Sequence, residues 1–536
     1  MLRIANLAVP LEYTDSFLRD LLVRKLGIPS DHLLSFSVWR RSVDARDRRD
    51  VHFVLSLNLS VRNEDALLKK HRQLSRVPED PDPVWPPARF AAPPLVVGAG
   101  PAGLFCALTL ARAGAEPVLI ERGRSVDLRS ADISRLTSEG ILDEESNVQF
   151  GEGGAGAFSD GKLTTGVKSP FLRTVLETFV AHGAPEEILI DPKPHIGTDR
   201  LRPVVASIRN EIISLGGTVL FETRLEKPLI RNGRIAGALV SHRGERREIP
   251  TEALLLCIGH SARDTMRNLY ESGIPMEQKP FAMGVRIEHP RTMIDRSQYG
   301  AFAGHPRLGP ASYKLNCHTP DGRGVYTFCM CPGGHVIAAA SEQGGVVVNG
   351  MSFHARDAEN SNSALLVGVR PEDFGSSHPL AGFSLQRRIE EAAWKAGRGS
   401  AGAALPDFTA PAQRMEDFLM NRSSSRFGDV SPSYRPGVVP ADLRAVLPGF
   451  ILQNLQAALP VLDRQLRGFA FPDAVLTAPE TRSSSPVRIP RDSSGQCPEI
   501  SGLFPAGEGA GYAGGIVSAA LDGIHAASCA LEANRR

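Results

Sequence analysis

Three glycines with GxGxxG spacing, Gly98, Gly100 and Gly103, follow the apolar run Leu95–Val97. An apolar run of this kind is typical of a buried parallel strand. Gly98 permits a tight turn out of the strand, Gly100 lets the backbone approach a pyrophosphate, and Gly103 lets the next helix lie close to the sheet. The N-terminal N–H groups of that helix favour an anion. The spacing therefore predicts a dinucleotide-binding turn.

The next segment supplies the remaining parts of a dinucleotide unit. Apolar residues recur at helical spacing over 104–111, Gly114 ends the helix, and a second strand leads to Glu121. Glu121 lies 23 positions after Gly98, close to the roughly 20 expected for a ribose-binding acid. Such an acid repels a 2′-phosphate, so NAD or FAD is favoured over NADP, and a purely structural turn is the alternative. The predicted cofactor contacts of this unit are Gly98, Ala99, Gly100, Pro101, Ala102, Gly103, Glu121 and Arg122.

The composition is typical of a globular protein with two or three domains. The chain has 536 residues, 42% of them apolar and 22% charged, and its formal net charge is +2. This charge gives no general attraction to nucleic acid or membranes. No apolar run approaches the roughly 20 residues that cross a bilayer, and the first ten residues lack a secretory pattern. We therefore expect a cytoplasmic protein without a membrane partner.

The cysteine content predicts no disulfides, and the spacing of possible ligand residues predicts no metal site. The seven cysteines are an odd number, and most of them stand alone in apolar surroundings, so we interpret them as reduced core residues. Metal-ligand motifs of the CxxC or HExxH kind are missing from the sequence, so we expect no metal site.

Residues 1–76 alternate strand-like and helix-like patterns, which predicts a small ferredoxin-like α/β domain. The expected elements are strands over Leu2–Ala8, Leu33–Arg41 and Val51–Val61 and a helix over Thr14–Lys25. The stretch Arg40–Asp50 interleaves arginines with aspartates, so we interpret it as a solvated hairpin end, with a grip on a phosphate backbone as the alternative. The proline-rich residues 77–94 predict an extended linker.

A glycine-rich segment, Phe150–Leu163, follows the dinucleotide unit. It either serves flexibility or lets backbone N–H groups approach a ligand. Its predicted cofactor contacts are Gly153, Gly154, Ser159, Asp160 and Lys162. Residues 95–165 would thus form the first part of the cofactor domain.

Residues 195–265 are expected to form a second part of this domain. The expected elements are a helix over Val204–Leu215, a strand over Thr218–Glu222, a hairpin turn at Asn232-Gly233 and a central parallel strand over Ala253–Ile258. Gly259 ends the last strand, at the place where a returning strand would meet the cofactor.

Residues 266–486 predict an inserted α+β domain with an antiparallel sheet. Short apolar runs alternate with glycines and prolines, which is typical of strands joined by turns. The expected elements are strands over Val325–Met330, Val336–Ala340 and Val346–Val348 and helices near Leu385–Ala396 and Leu452–Leu466. We expect this domain to cover the cofactor and bind the substrate.

Residues 487–536 contain a second GxGxxG pattern, formed by Gly509, Gly511 and Gly514. A second dinucleotide site would need a further strand that ends in an acid. Only one helix fits before the chain ends at Arg536, so this turn must have a different role.

The two turns together resemble those of flavoproteins with a glutathione-reductase-like FAD domain, in the branch that includes the flavin hydroxylases. In that group the first turn holds the ADP half of FAD, and a C-terminal Gly-Asp or Gly-Glu turn holds the ribityl chain. The residues that match the second motif are Gly507, Glu508, Gly514, Gly515 and Ile516. Leu255–Gly259 is similar to the strand that returns between the two, with Cys-Ile-Gly in place of the more usual Ala-Thr-Gly.

Over nearly its whole length the chain most resembles a bacterial family of FAD-dependent dehydrogenases of unknown substrate. The strings PHIGTDRL, SYKLNCHTPDGRGVYTFCMCPGG and SSSPVRIPRD contribute to this likeness. The expected fold is α/β, with a discontinuous Rossmann-like FAD-binding domain made of residues 95–165, 195–265 and 487–536. The α+β substrate domain is inserted into it, and the ferredoxin-like domain precedes it.

The sequence assigns no catalytic residue, but it offers candidates. Cys329 and Cys331 could form a redox dithiol, yet in an extended strand their side chains would stand too far apart for a disulfide, so two small buried residues are favoured. His260 could donate a proton, or be a loop histidine bonded to backbone. Lys162 could place positive charge near the flavin or form a surface ion pair. An anionic group could meet Arg482, Arg488 or Arg491.

We expect an FAD-dependent oxidoreductase that transfers a hydride between the flavin and a small organic substrate. A flavin monooxygenase is the alternative, as is an FAD-containing protein that binds or modifies RNA, although the near-neutral charge makes nucleic acid an unfavoured partner. Because the chain lacks a second complete nucleotide unit, NAD(P)H would dock transiently or a protein would donate the electrons.

Overall fold

The amino-terminal unit is a four-stranded antiparallel sheet with two helices in the computed structural model, which describes residues 1–78, 84–398 and 405–535. Its elements are β1 (Leu2–Val9), α1 (Asp15–Leu26), β2 (Leu33–Asp44), β3 (His52–Val61), α2 (Glu64–Lys70) and β4 (Leu74–Arg76). The strand order is β2-β3-β1-β4, and all neighbours are antiparallel. The β-α-β-β-α-β succession is the ferredoxin-like one, which confirms this part of the predicted fold.

The hairpin end between β2 and β3 carries its own counter-charges. Arg46 pairs with Asp44 and Arg49 pairs with Asp47, and the arginine side chains are 91% and 90% exposed. These pairs confirm the interpretation of a solvated hairpin end.

Short strands and helices alternate in the next part of the chain. Its elements are β5 (Leu95–Val97), α3 (Pro101–Arg112), β6 (Val118–Ile120), α4 (Val126–Glu139), α5 (Leu172–Ala181), α6 (Thr198–Ser214), β7 (Thr218–Leu220), β8 (Thr223–Arg231), β9 (Arg234–His242), β10 (Glu245–Ile249), β11 (Leu254–Leu256) and α7 (Arg263–Glu271). The turn at Asn232-Gly233 joins β8 to β9 as predicted. The predicted strand over Thr218–Glu222 is too long, because β7 ends at Leu220 and Glu222 takes a positive φ before β8 begins.

The inserted part contains most of the antiparallel strands. Its elements are β12 (Glu277–Gln278), β13 (Phe281–Pro290), α8 (Arg291–Tyr299), β14 (Asn316–His318), β15 (Gly324–Cys331), β16 (His335–Ala338), β17 (Val348–Met351), β18 (Asn360–Val369), α9 (Ala381–Arg398), β19 (Ala410–Arg414), α10 (Met415–Leu419), β20 (Val438–Pro440), α11 (Gly449–Gln465), β21 (Val475–Glu480) and β22 (Val487–Arg488). The chain ends with β23 (Leu503–Pro505) and α12 (Ile516–Ala533). The strand predicted over Val346–Val348 is misplaced, since β17 begins only at Val348.

A seven-stranded sheet forms the centre of the inserted part, with the order β14-β15-β18-β13-β21-β19-β20. Its pairs are antiparallel except β19 with β20. Val285 and Ile287 of β13 enter an apolar core together with residues of α11. The alternate residues Arg286 and Glu288 are fully buried on the other face, where the β16–β17 hairpin packs against Arg286. One face of this sheet is therefore apolar, whereas the other buries the charged Arg286 and Glu288 beside a small apolar cluster of Ala282, Ala364 and Leu366.

A five-stranded parallel sheet, in the order β23-β11-β5-β6-β7, holds the two glycine turns. Leu255 of β11 pairs with Val96 on one side and with Phe504 on the other. The C-terminal strand β23 thus completes a sheet that begins at Leu95. This topology confirms the discontinuous Rossmann-like fold, whereas the exact domain boundaries stay predictions.

Helices α3 and α12 pack directly on each other behind this sheet. A Cβ at Gly523 would clash with the carbonyl oxygen of Ala102, and one at Gly507 would lie 2.9 Å from the Ala102 Cβ. The contact therefore requires both glycines. By length and apolar composition α12 is also the one described helix that could cross a membrane, but 67% of it is buried inside the protein.

Arg129 of α4 fixes the glycine-rich loop that follows. Its side chain is fully buried and its guanidinium donates hydrogen bonds to backbone carbonyls of the loop. The acceptors are the carbonyl oxygens of Asn147, Val148, Gly151, Glu152 and Gly154, at 2.7–3.3 Å. A single side chain therefore sets the path of residues 147–154.

An ion cluster joins the parallel-sheet part to the inserted part. Glu390 of α9 is fully buried and pairs with Arg263 of α7 at 2.7 Å and with Arg482 at 3.0 Å. Glu342 also contacts Arg263, at 2.9 Å, so two cations meet two carboxylates. Breaking such a buried cluster leaves an uncompensated charge, which fixes how the two parts lie against each other.

We expect Gly523→Ala to lower the free energy of unfolding by about 1–3 kcal/mol, the usual cost of overpacking. Alanine normally stabilises a helix relative to glycine, so a lower free energy of unfolding would show that the new methyl group clashes with Ala102. Chemical denaturation measures it. Gly449→Ala is the control, because a Cβ there meets nothing within 4 Å; equal stability of the two variants would contradict the prediction.

We expect Arg129→Met to lower the free energy of unfolding by about 3–5 kcal/mol, because methionine leaves several buried carbonyls of the loop without donors, at about 1–3 kcal/mol for each unsatisfied group. The matched control is Arg135→Met, since Arg135 is exposed on the same helix. Urea denaturation of both variants tests this, and an Arg129→Met protein as stable as the control would rule out the clamp.

Candidate functional site

The amino-terminal glycine turn joins β5 to α3. Gly98 has a φ of 99°, and a Cβ there would clash with the carbonyl of Cys257. Gly103 lies against the carbonyl of Gly98. Gly100 precedes α3 without any side-chain cap, and a Cβ on it would have Gly154, at 3.8 Å, as its nearest neighbour. The first N–H groups of α3 are therefore available to an anion.

Glu121 ties this turn to the glycine-rich loop. Its carboxylate is buried and accepts hydrogen bonds from the backbone N–H groups of Ala99, Gly123 and Gly151 at 2.8–2.9 Å. A carboxylate offers about four acceptor positions, so one is left. Its predicted role in binding a ribose hydroxyl would use that position and stays a prediction.

Arg122 is held by two carboxylates. Its guanidinium lies 2.9 Å from Glu145 and 2.8 Å from Asp264, and 4.1 Å from the ring centroid of Phe150. These carboxylates neutralise the charge of Arg122. Its pair with Asp264 joins the end of β6 to α7. The predicted contact of Arg122 with the cofactor stays a prediction.

The glycine-rich loop passes between the starts of α3 and α12. The N–H of Gly153 donates to the carbonyl of Ala99 at 2.8 Å, and Gly154 has a φ of 58°. A Cβ on Gly156 would lie 3.0 Å from Ile516 and 3.6 Å from Pro101. Since Ile516 and Pro101 are the first residues of their helices, the two helix N-termini meet at Gly156.

The carboxy-terminal turn is held by a charge pair behind it. Gly507 has a φ of 74°, and its N–H donates to Asp522 at 2.7 Å, while Arg491 pairs with Asp522 at 2.6 Å. Gly514 and Gly515 are exposed, and α12 begins without a side-chain cap. The first N–H groups of α12 are thus as available as those of α3.

These features fit FAD. Two long helices begin at one place with free N–H groups, which suits a cofactor with a pyrophosphate and with a flavin ring whose pyrimidine side gains negative charge on reduction. The backbones of Gly100 and Gly154 face each other at this place, and the side chains of Pro101 and Ile516 lie beside Gly156. Gly259, with a φ of 70°, contacts Gly509 of the second turn through its carbonyl.

Three side chains lie at the boundary between the parallel-sheet part and the inserted part. Glu508 and His260 are half-buried and Cys329 is exposed. Burial raises the pKa of Glu508 to about 8 against the effect of Lys279. Burial also raises the pKa of Cys329 to about 12, against the effects of Lys162 and Arg286.

His260 has a neutral ring at this boundary. Burial, together with the nearby cations Arg482 and Arg263, lowers the pKa of His260 to about 3. Its Nδ1 lies 2.9 Å from the hydroxyl of Ser261. A backbone hydrogen bond also acts on the ring, as expected for a loop histidine, and the ring is uncharged at neutral pH.

Asp160 and Lys162 lie where the glycine-rich loop meets the inserted part. Arg356 donates to both oxygens of Asp160, at 3.0 and 2.6 Å, and Ser352 donates to one of them. Lys162 Nζ lies 3.7 Å from Asp160. Burial raises the pKa of Asp160, but Lys162 and Arg356 outweigh it and hold the value at about 2. Ser159 bonds within the loop, to the carbonyl of Gly156 at 2.7 Å.

The two candidate cysteines do not occupy an extended strand. β15 is irregular between Phe328 and Cys331, and Cys329 has a φ of 41°. Cys331 is buried and donates to the carbonyl of Cys329 at 3.3 Å. The expectation of two buried residues is therefore wrong for Cys329, because this bulge leaves it exposed. Both thiols are free.

The three arginines proposed to meet an anion differ in their partners. Arg482 is buried against Glu390 at 3.0 Å, and Arg491 is paired with Asp522. Arg488 is exposed, 5.4 Å from the ring centroid of Tyr512. Two of the three are therefore already neutralised by carboxylates.

Sequence reasoning missed Arg129, Ser352, Arg356 and His195. His195 lies opposite Lys162 in a β-bridge and stacks on His354 with ring centroids 5.3 Å apart. Burial and Arg356 lower the pKa of His195 to about 4. The string PHIGTDRL contains His195 and was the one available signal. The described residues contain no group of three or more His, Cys, Asp or Glu that could hold a metal.

Comparisons with known proteins agree with the geometry. The family "FAD-dependent protein, C-terminal domain-like" matches residues 280–483, an NAD(P)-binding Rossmann-like domain matches residues 96–149, and a domain of unknown function matches residues 1–60. An uncharacterized protein of Clostridium beijerinckii is 44% identical over 99% of this chain and 98% of its own length.

Solved structures show only a distant likeness. A geranylgeranyl bacteriochlorophyll reductase-like protein from Thermoplasma acidophilum is 12% identical, with a TM-score of 0.33, over 83% of this chain and 79% of its own. A quinol fumarate reductase from E. coli is 11% identical, with a TM-score of 0.36, over 84% of this chain and 71% of its own. Such scores support no conclusion about activity. By its full-length relative and its matched domains, the chain belongs to a family of FAD-dependent proteins whose substrate is unknown.

Proposed function

We propose that the protein is a dehydrogenase or reductase that transfers a hydride between FAD and a small organic substrate. The observation that carries this proposal is the meeting of the α3 and α12 N-termini at Gly156. The face of the seven-stranded sheet that carries Arg286 and Glu288 would cover the substrate.

The chain's own groups would bind and orient the cofactor. The N–H groups of α3 would hold the pyrophosphate, and those of α12 would stabilise negative charge at the pyrimidine edge. Glu508 lies beside the start of α12, since a Cβ on Gly514 would be 3.9 Å from its carboxylate, so it would bind a ribityl hydroxyl. FAD, when bound, supplies the two-electron chemistry.

The electron partner would bind transiently. In the described residues one strand-turn-helix-strand unit, β5 to β6, ends in a ribose-type acid, so we propose that NAD(P)H docks without a domain of its own or that a protein donates electrons. We further propose a cytoplasmic location, because the seven cysteines are free thiols and a reducing compartment keeps them so. Nucleic acid is not proposed as a partner, since Arg46 and Arg49 of the hairpin end are already paired.

We expect purified protein to contain FAD, with flavin absorbance near 450 nm. Gly100→Val should lose at least nine-tenths of it, because a Cβ on residue 100 already lies 3.8 Å from Gly154 and the branched carbons beyond it would push the two backbones apart. The control is Gly166→Val at an open, exposed position. Flavin content after gel filtration measures the effect. Retention of FAD by Gly100→Val would contradict the assigned site.

The reaction class is tested by anaerobic reduction with NADH, NADPH or dithionite, followed by a panel of candidate acceptors. We expect reoxidation of the reduced protein by an acceptor without oxygen. Incorporation of labelled oxygen from O₂ into a product would identify a monooxygenase and contradict the proposal.

Glu508→Gln is expected to flatten the pH dependence of stability in the flavin-free protein. The folded state keeps Glu508 protonated up to a pKa of about 8, above its ordinary 4.5, so its contribution is complete below pH 4.5 and is lost as pH rises through 8. The uncharged glutamine removes this loss. Denaturation at pH 5, 6.5 and 8 measures it, with the exposed Glu499→Gln as control; parallel curves for both variants would overturn the assignment.

A further inference from the structure

The ammonium of Lys162 lacks a hydrogen-bond partner within the described part of the chain. Its Nζ is inaccessible to solvent and bonds to no acceptor there, although 30% of the side chain is exposed. The exposed portion is therefore the methylene stem. An ammonium has three donors, and a buried donor without an acceptor is unfavourable. The ammonium therefore has donors to offer to a ligand that reaches it.

The carboxylate nearest to Lys162 is already occupied. Asp160 receives two hydrogen bonds from Arg356 and one from Ser352, whereas Lys162 approaches it only to 3.7 Å. Two cations on one carboxylate leave one net positive charge. Burial and then the charges of Lys162 and Arg356 lower the pKa of Lys193, so this neighbouring lysine brings no counter-charge.

The other groups near Lys162 do not compensate this charge. Burial raises the pKa values of Cys329 and Cys331, and Lys162 is the first cation that opposes the rise in each. Both thiols are thus neutral neighbours of Lys162. Arg286 is paired with Glu480 at 2.9 Å, so that carboxylate is also occupied.

The position of Lys162 directs it to the substrate rather than to the flavin. Its neighbours Cys329, Cys331 and Arg356 belong to the inserted part, whereas the pyrimidine edge has the N-terminus of α12 as its own source of positive charge. A lysine on the side of the inserted part would therefore contact a substrate that binds between that part and the flavin.

We propose that Lys162 binds a carboxylate of the substrate, which makes the substrate of the proposed oxidoreductase a small organic acid. The carboxylate oxygens accept the hydrogen bonds that the ammonium lacks, and their charge balances the excess left by Arg356 and Asp160. The neutral thiol of Cys329 lies beside this acid. The inference rests on the proposed function.

Calorimetric titration of the holoprotein tests the inference without turnover. The probes are propionate and benzoate, with propionamide and benzamide as uncharged analogues of the same shape. The variants are Lys162→Met, Lys162→Arg and the control Lys168→Met, since Lys168 is exposed in the same segment. Flavin content is measured on every sample, so that a failure of the cofactor assignment is seen separately.

We expect the wild type and Lys168→Met to bind at least one carboxylate at least tenfold more tightly than its amide. Lys162→Met should lose this preference while keeping its FAD, and Lys162→Arg should keep part of it. Equal binding of acids and amides by the wild type, or an unchanged preference in Lys162→Met, would overturn the inference. Loss of FAD from Lys162→Met would also overturn it, because Lys162 would then serve the cofactor.

Discussion

The close approach of α3 and α12 is the constraint on which the site depends. Gly507 and Gly523 leave room for Ala102, and β23 pairs with β11 in register, so that the last turn of the chain reaches the first. Two positive dipole ends at one point repel each other. Apolar packing behind the sheet, shared by residues of α3, α6 and α12, must hold them together. The two adjacent helix N-termini therefore favour an anionic cofactor.

Arg129 fixes the glycine-rich loop, which forms another part of the same site. A buried guanidinium is costly unless its donors are satisfied, and here backbone carbonyls of the loop satisfy them. Burial lowers the pKa of Arg129 to about 10, so it stays charged at neutral pH. Because one side chain and the Glu121 carboxylate hold the loop from behind, its glycines can face the cofactor with bare backbone. Such a site is organised before its ligand arrives.

Local sequence predicted the parts of this architecture that depend on local geometry. The GxGxxG turn, the turn at Asn232-Gly233 and the central strand β11 have spacing or composition that only one conformation satisfies well. Arg129, the bulge at Cys329 and the pair of Asp160 with Arg356 had no such signal. Asp160 and Arg356 are 196 positions apart, and burial of a lone arginine depends on what the rest of the chain places around it.

Ion pairs cross between the parallel-sheet part and the inserted part at two places. Asp160 pairs with Arg356, and Glu390 pairs with Arg263 and Arg482. Buried ion pairs add little net stability compared with apolar packing, yet breaking one costs several kcal/mol. They therefore fix the relative position of the two parts more than they hold them together. Lys162, whose ammonium lacks an acceptor among the described residues, is the cation of this boundary that a ligand can still engage.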